Sequence, residues 1–290
     1  MRARKRSLVL ALFMVLATPA TLRAQESGRL LGTAGVSQVE GASGGGLVPW
    51  ATIAGYGTRD AVGAQAHYTL DSMPDFTLQS TGVAIGFYDR LELSYTHAWF
   101  DTGSTGTRLG LGKDFQFQLD VVGAKLRLLG DLVYDQDRWL PQIAIGTQYK
   151  VADHADILRA IGARSADGAD FYISATKLLL GQSLLLDATV RATKANQFGF
   201  LGFGGDRNQS YSAQFEGSAG LLLRRDLVVG AEIRTKPDNL GFAHEGTAYD
   251  VFFAYFFNKN IAATVAFTAL GPIANQGNQN GFYFSLTGGF

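Results

Sequence analysis

The sequence contains no cysteine. That excludes a disulfide framework, a thiolate zinc site and a lipid-modified N-terminal cysteine. Histidine is scarce, with four in 290 residues, and His67, His97, His154 and His244 are scattered. None has the Ser/His/Asp or metal-ligand spacing that nucleophilic or metal-assisted hydrolysis requires. Only 17% of residues are charged, and the net charge is zero. Such a chain has no excess of bases with which to neutralise phosphates, so nucleic acid is not an expected partner. No stretch beyond the N-terminal region is both apolar and long enough, at about 20 residues, to cross a bilayer as a helix.

What the chain does contain is glycine and aromatics: 36 Gly, 20 Phe and 11 Tyr, with 47% of residues hydrophobic. It is too apolar for disorder. Arg2, Arg4, Lys5 and Arg6 precede an apolar stretch at 8–16 and small residues up to Ala24. This is the layout of a secretory signal peptide, expected to span 1–24, with cleavage after Ala24 or alternatively after Ala20. Five of the 25 basic and none of the 25 acidic residues lie in 1–24, so the exported part, 25–290, is mildly acidic.

In that part, segments of about ten residues alternate apolar with polar or small, separated by Gly, Asn, Asp and Pro. Tyr249, Val251, Phe253, Tyr255 and Phe257 share one strand face, with Ala248, Asp250 and Ala254 on the other. One face suits lipid and the other a lumen, the pattern of transmembrane strands. The alternation gives candidate strands at 30–38, 47–57, 61–71, 76–88, 91–100, 114–130, 138–150, 169–179, 184–194, 211–223, 227–236, 247–257, 261–270 and 281–290. In 114–130 the apolar phase changes, which predicts a β-bulge at Val121 and Val122.

Counted back from the C-terminus, long gaps (271–280, 237–246, 195–210, 151–168, 101–113) alternate with mostly tight ones (258–260, 224–226, 180–183, 131–137, 89–90). Bacterial outer-membrane barrels alternate short periplasmic turns with long external loops in this way. The expected fold is all-β: one closed antiparallel transmembrane β-barrel of about 14 strands, with 12 as the alternative and both termini periplasmic. Twelve or thirteen strands remain if the first candidate strand is instead a periplasmic or plug segment. A soluble β-sandwich also reads as short alternating strands, but the export signal, the aromatic outer faces and the loop parity oppose it.

The charges expected to face the lumen are Glu92, Asp120, Lys125, Arg127, Asp187, Arg191, Glu216, Glu232, Arg234 and Asp250. An Arg or Lys facing lipid near the midplane would cost about 2–4 kcal/mol, which favours the interior. Six acids against four bases describe either a polar passage or a salt-bridged filling. At the C-terminus Phe282, Phe284, Leu286, Gly288 and Phe290 fall on one face. This segment resembles the terminal strand recognised by the outer-membrane assembly machinery, and it implies that machinery, periplasmic chaperones and the lipid bilayer as partners. The glycine runs do not make a nucleotide site: Lys113 is followed by Asp114, and Gly199–Gly205 precedes no helical pattern.

The stretches GVSQVEGASGGGLVPWATIAGYGTRD (35–60), VYDQDRWLPQIAIGTQYK (133–150), TKANQFGFLGFGGD (193–206) and TKPDNLG (235–241) resemble a proteobacterial domain-of-unknown-function family of secreted proteins. The resemblance covers the exported chain. It implies the outer membrane of a Gram-negative host and carries over no catalytic or ligand residue. The expected function is a porin-like passive channel for an unidentified small solute, without a cofactor and without enzymatic activity, constricted by the lumen charges together with 151–168 and 195–210. The alternatives are a surface binding or structural protein with a plugged lumen and a membrane-embedded hydrolase.

Overall fold

The structure, a computed structural model, describes residues 29–290. The expected signal peptide 1–24 lies outside the described residues. Two short strands, β1 (Val36–Ser37) and β2 (Ser43–Gly44), pair with each other alone. They are followed by β3 (Val62–Ser72), β4 (Thr77–Phe87), β5 (Leu91–Asp101), β6 (Gln116–Leu129), β7 (Gln142–Ala152) and β8 (Asp167–Leu179). The second half comprises β9 (Leu184–Thr193), β10 (Ser212–Arg224), β11 (Leu227–Arg234), β12 (Ala248–Phe256), β13 (Ile261–Ile273) and β14 (Gln276–Gly289).

Strands β3 to β14 form one closed barrel in sequence order, each antiparallel to its neighbours, with β14 pairing back onto β3. Closure leaves no unpaired sheet edge, as lipid demands of any β structure that crosses a bilayer. Along β12, Tyr249, Val251, Phe253 and Tyr255 are exposed, while Asp250, Phe252 and Ala254 are buried.

The barrel therefore has twelve strands, not fourteen. The candidate strands 30–38 and 47–57 are instead a plug inside the lumen. A wall strand shows every second residue to the outside, but residues 33–57 are buried without a break. Glycine permits the excursion: Gly35 and Gly41 have φ of +68° and +95°, a region that disfavours any side chain. The plug leaves the lumen where Phe290 lies, since Phe290 O accepts from the amides of both Tyr56 (2.8 Å) and Ala64 (3.1 Å). Arg29, at the start of the described chain, bonds Gly55 O (3.1 Å) and pairs with Asp89 at the same end.

Two local expectations also change. Strand β6 has no bulge at Val121 and Val122: its register against β5 runs unbroken from Asp101↔Gln116 to Leu91↔Leu126. The register shift lies between Arg127 and Leu129. Phe117, Leu119 and Val121 consequently point inward, where Phe117 meets Phe115 and His154. The interior at this height is apolar because folded loops reach it, so hydrophobicity does not mark the lipid side there. The expected long loop 271–280 is likewise a continuation of β13 and β14, turned by Ala274 and Asn275, both at positive φ.

The longer connections at the opposite end pack inward. Residues Ala155–Ala160, in the 151–168 loop, form a short helix that buries Leu158 fully. Phe76 stacks on Phe100 at 5.0 Å, and Phe100 meets Phe200 at 5.3 Å. With Leu201 and Leu240 these close the mouth with an apolar lid.

The plug's fit makes a prediction about Gly45. A methyl group there would lie 1.9 Å from Glu232 Oε1, and Glu232 is held by its bond from Leu47 N at 2.7 Å. Gly45→Ala should cost about 1–3 kcal/mol through overpacking, read by chemical unfolding in micelles. Gly277→Ala, with open space around it, should change stability by less than about 0.5 kcal/mol.

Candidate functional site: the plugged lumen

The inner wall meets the plug mainly through the plug's backbone. Glu92 on β5 and Lys125 on β6 stand directly opposite and pair at 3.1 Å. The carboxylate accepts from Ser43 N (3.1 Å) and Ala54 N (2.8 Å), and the ammonium donates to Ser43 O and Thr52 O, both at 2.8 Å. One ion pair thus satisfies both signs of backbone dipole.

Further round the wall, Ser174 and Thr189 donate to Pro49 O, Thr176 accepts from Ala51 N, and Gln142 donates to Ala51 O. Trp50 Nε1 donates to Ser218 Oγ at 2.8 Å, and Ser218 in turn donates to Glu232 at 2.6 Å. A buried backbone group without a partner costs free energy comparable to a lost hydrogen bond, so these contacts decide where the plug can sit.

The tip of the plug carries Glu40. Its carboxylate receives Arg234 Nη1 at 2.9 Å and Nη2 at 3.2 Å, and it also pairs with Lys150. Lys150 is bound to Asp170 at 2.7 Å, Asp170 lies 3.4 Å from Arg191, Arg191 pairs with Glu216, and Glu216 lies 3.2 Å from Arg234. Burial by itself would raise the Glu40 carboxyl, but Arg234 and Lys150 beside it hold it below the usual carboxylate range.

The lid joins the same cluster. Phe198 O accepts from Lys150 at 3.1 Å, and the Phe198 ring lies 4.3 Å from the Arg234 guanidinium and 5.3 Å from Lys236. Lys236 pairs with Glu245 at 3.1 Å, and Glu245 accepts from Gln197 N at 2.9 Å.

Of the ten charges expected inside, Glu92, Lys125, Asp187, Arg191, Glu216, Glu232, Arg234 and Asp250 are buried on the inner wall. Asp187 is held by Thr176, and Asp250 stands opposite Glu232. Arg127 lies at the rim, paired with Asp89 and Asp131. Asp120 is misassigned: with no bulge in β6 it faces outward, accepting from Tyr95 Oη at 2.8 Å and lying 2.7 Å from His97 Nδ1.

The expected constriction, the lumen charges together with 151–168 and 195–210, leaves out the plug, which fills the lumen below those loops. Sequence reasoning missed Lys150, Asp170 and Asp71. For the first two the signal was present: placing Ile143, Ile145, Phe171 and Ile173 outward turns both inward. Lys177, which fits poorly in that phase, sits near the barrel end and donates to Asp135 O at 2.7 Å. Nothing in the alternation marks Glu40.

No hydrolytic constellation emerges among the described residues. His67 is inside the barrel with Ser80 Oγ at a long 3.5 Å. His97, on the outer wall edge-on to Trp99 at 4.6 Å, has Thr81 opposite, but that hydroxyl donates to His67 O. No group of three His, Cys, Asp or Glu side chains suited to a metal ion occurs among the described residues. Phe282, Phe284, Leu286 and Phe290 all face outward, with Gly288 on the same face of β14.

These features define the class, an outer-membrane type of β-barrel with an internal plug. The sequence profile of a protein family of unknown function, DUF3034, matches residues 33–287, and the chain belongs to that family. No curated protein matches it. Among solved structures, a NanC porin is 9% identical, with a TM-score of 0.51 over 78% of this chain and 98% of that one. A KdgM porin is 11% identical, with a TM-score of 0.49 over 78% and 99%. The Escherichia coli outer membrane phospholipase A is 10% identical, with a TM-score of 0.43 over 81% and 93%. The likeness to NanC is one of fold.

Removing one member of the buried charge row should be far costlier than changing the outer-wall pair. Arg191→Met, which takes one of two cationic partners from each of Glu216 and Asp170, should lose about 3–5 kcal/mol. Asp120→Asn should lose no more than about 1 kcal/mol, its group being partly exposed. Denaturant unfolding of the refolded barrel, followed by circular dichroism, compares the two.

Proposed function

We propose that the protein is a porin-like conduit for small polar solutes in the outer membrane, closed in the described state by its own N-terminal segment. The observation that carries this is the chemistry of the plug's seat. A filling meant to be permanent gains more from apolar packing than from buried ion pairs, yet beside the apolar clusters that Val36, Val39, Leu47 and Val48 join, Glu92, Lys125, Glu232 and Arg234 hold plug backbone by hydrogen bonds and Arg234 also pairs with Glu40. With the plug elsewhere, the wall it leaves is mostly polar and suited to water.

The orientation we infer puts Arg29 and Phe290 on the periplasmic side and the lid outside. Exposed aromatics near the loop end (Tyr149, Phe171, Tyr211, Phe215, Tyr249, Phe282) and near the other end (Tyr88, Tyr255, Phe257, Phe290) support two membrane-interface girdles. No catalytic role is part of the reading. The second reading, a structural or binding protein whose lumen never opens, is favoured by the unbroken burial of 33–57.

Planar-bilayer recording separates them. Thr33 O and Gly55 O both bind the Arg29 guanidinium, so a chain lacking 34–54 can be rejoined across a short gap. The full chain should be closed most of the time, and the deletion variant should show steady conductance at least tenfold higher. A deletion variant that folds, by circular dichroism and heat-modifiable gel mobility, but stays closed would eliminate the conduit.

We further infer that the outward row ending at Phe290 is the assembly signal. Phe290→Ala, which keeps the backbone bonds of residue 290 to Tyr56 and Ala64, should cost about 2–3 kcal/mol in refolded protein, one lipid-facing aromatic side chain. In cells, delivery to the outer membrane should fall several-fold, measured by fractionation and surface protease access. Unchanged delivery refutes the signal.

A further inference from the structure

Five consecutive wall strands carry one row of inward charges: Lys150 on β7, Asp170 on β8, Arg191 on β9, Glu216 on β10 and Arg234 on β11. The signs alternate and each neighbouring pair is in ion-pair contact. Both ends of the row are cations, so three bases face two acids and the row by itself is left with one positive charge. Glu40 completes it, its single carboxylate bridging the two end members. Each end base keeps one wall acid, so the row without Glu40 holds one buried positive charge in excess, which a single anion in this seat balances.

We propose that the two ends of this row, Lys150 and Arg234, form a binding site for the carboxylate of a small anionic solute, which Glu40 occupies in the described state. The seat is built for that group. Arg234 offers Nη1 and Nη2 to the two carboxylate oxygens at 2.9 and 3.2 Å, a fork that matches a planar carboxylate. Lys150 adds a further cationic donor to one of those oxygens, and both bases are almost wholly buried. Their other bonds, to Asp170 and Glu216, come from the wall and remain when the plug leaves.

The site also explains why opening and binding would be coupled. Lys150 and Arg234 hold the lid through Phe198 and the plug through Glu40 and Leu47 O. An incoming carboxylate that takes the place of Glu40 removes the plug's charged contact at its tip and balances the charge of the row it leaves. Solute access in the native protein rests on the conduit reading above; the seat itself does not.

Calorimetric titration in micelles tests the seat without requiring conduction. D-glucuronate should bind the variant lacking 34–54 saturably and one to one, and D-glucose should give no saturable heat. Arg234→Lys in that background keeps the charge but loses the fork and should weaken binding several-fold. Lys150→Met should weaken it at least tenfold. In the full chain, Glu40→Gln should bind glucuronate at least tenfold more tightly than wild type. Absence of glucuronate binding to a folded deletion variant, equal binding after both wall substitutions, or tighter binding of inorganic phosphate than of glucuronate would each overturn the assignment. Binding by a deletion variant that does not conduct would retain the seat and remove the conduit.

Discussion

The constraint on which the structure depends is that a charge enclosed by the barrel needs a partner, and that here the N-terminal segment supplies the partners the wall does not. Closing twelve antiparallel strands satisfies the wall's own backbone but leaves the inward side chains of β5 to β11 crowded with ions. Most pair with one another, as Arg191 does with Glu216 and Asp170. The remainder need a polar surface that can be threaded into the lumen. A short glycine-rich stretch is well suited: it exposes amide and carbonyl groups without bulky side chains, and Gly45 fits where Glu232 leaves no room for a methyl.

The same constraint separates the barrel into two chemical zones. Where the plug lies, the inner wall is mostly polar, interrupted by an apolar patch of Phe252, Phe256, Ala262 and Ala266 that clusters with Val36. Above it, the loops fold over the mouth, and the wall turns apolar at Phe100, Phe117, Leu119 and Val121 to meet Phe200, Leu158 and their neighbours. The cluster of Glu40, Lys150 and Arg234 marks the boundary, touching plug, wall and lid at once. Movement of any one of these is therefore felt by the other two, which makes the cluster a coupling point within a fold that otherwise resembles a simple barrel.

Much of the wall was legible because lipid imposes a period of two on any strand that faces it. Strands β12 and β14, with their outward aromatics, follow that rule along their length, and eight of the ten inward charges named from it are buried on the inner wall. The rule failed where its premise did. In β6 the apolar residues Phe117, Leu119 and Val121 face folded loops, so the phase inverted on paper and carried Asp120 inward with it. At 33–57 the premise failed completely, because both sides of the segment touch protein.

The sequence by itself determined the class: strands, aromatic outer faces, a polar interior and a terminal outward row, since each follows from local composition read against a lipid or aqueous face. Tertiary structure decided what occupies the interior. Whether residues 33–57 join the wall or fill it depends on contacts such as Leu47 N to Glu232, 185 residues apart, and Arg234 to Glu40, 194 apart. Those partners become neighbours only when the barrel closes, and no local period records which charges will meet across a lumen.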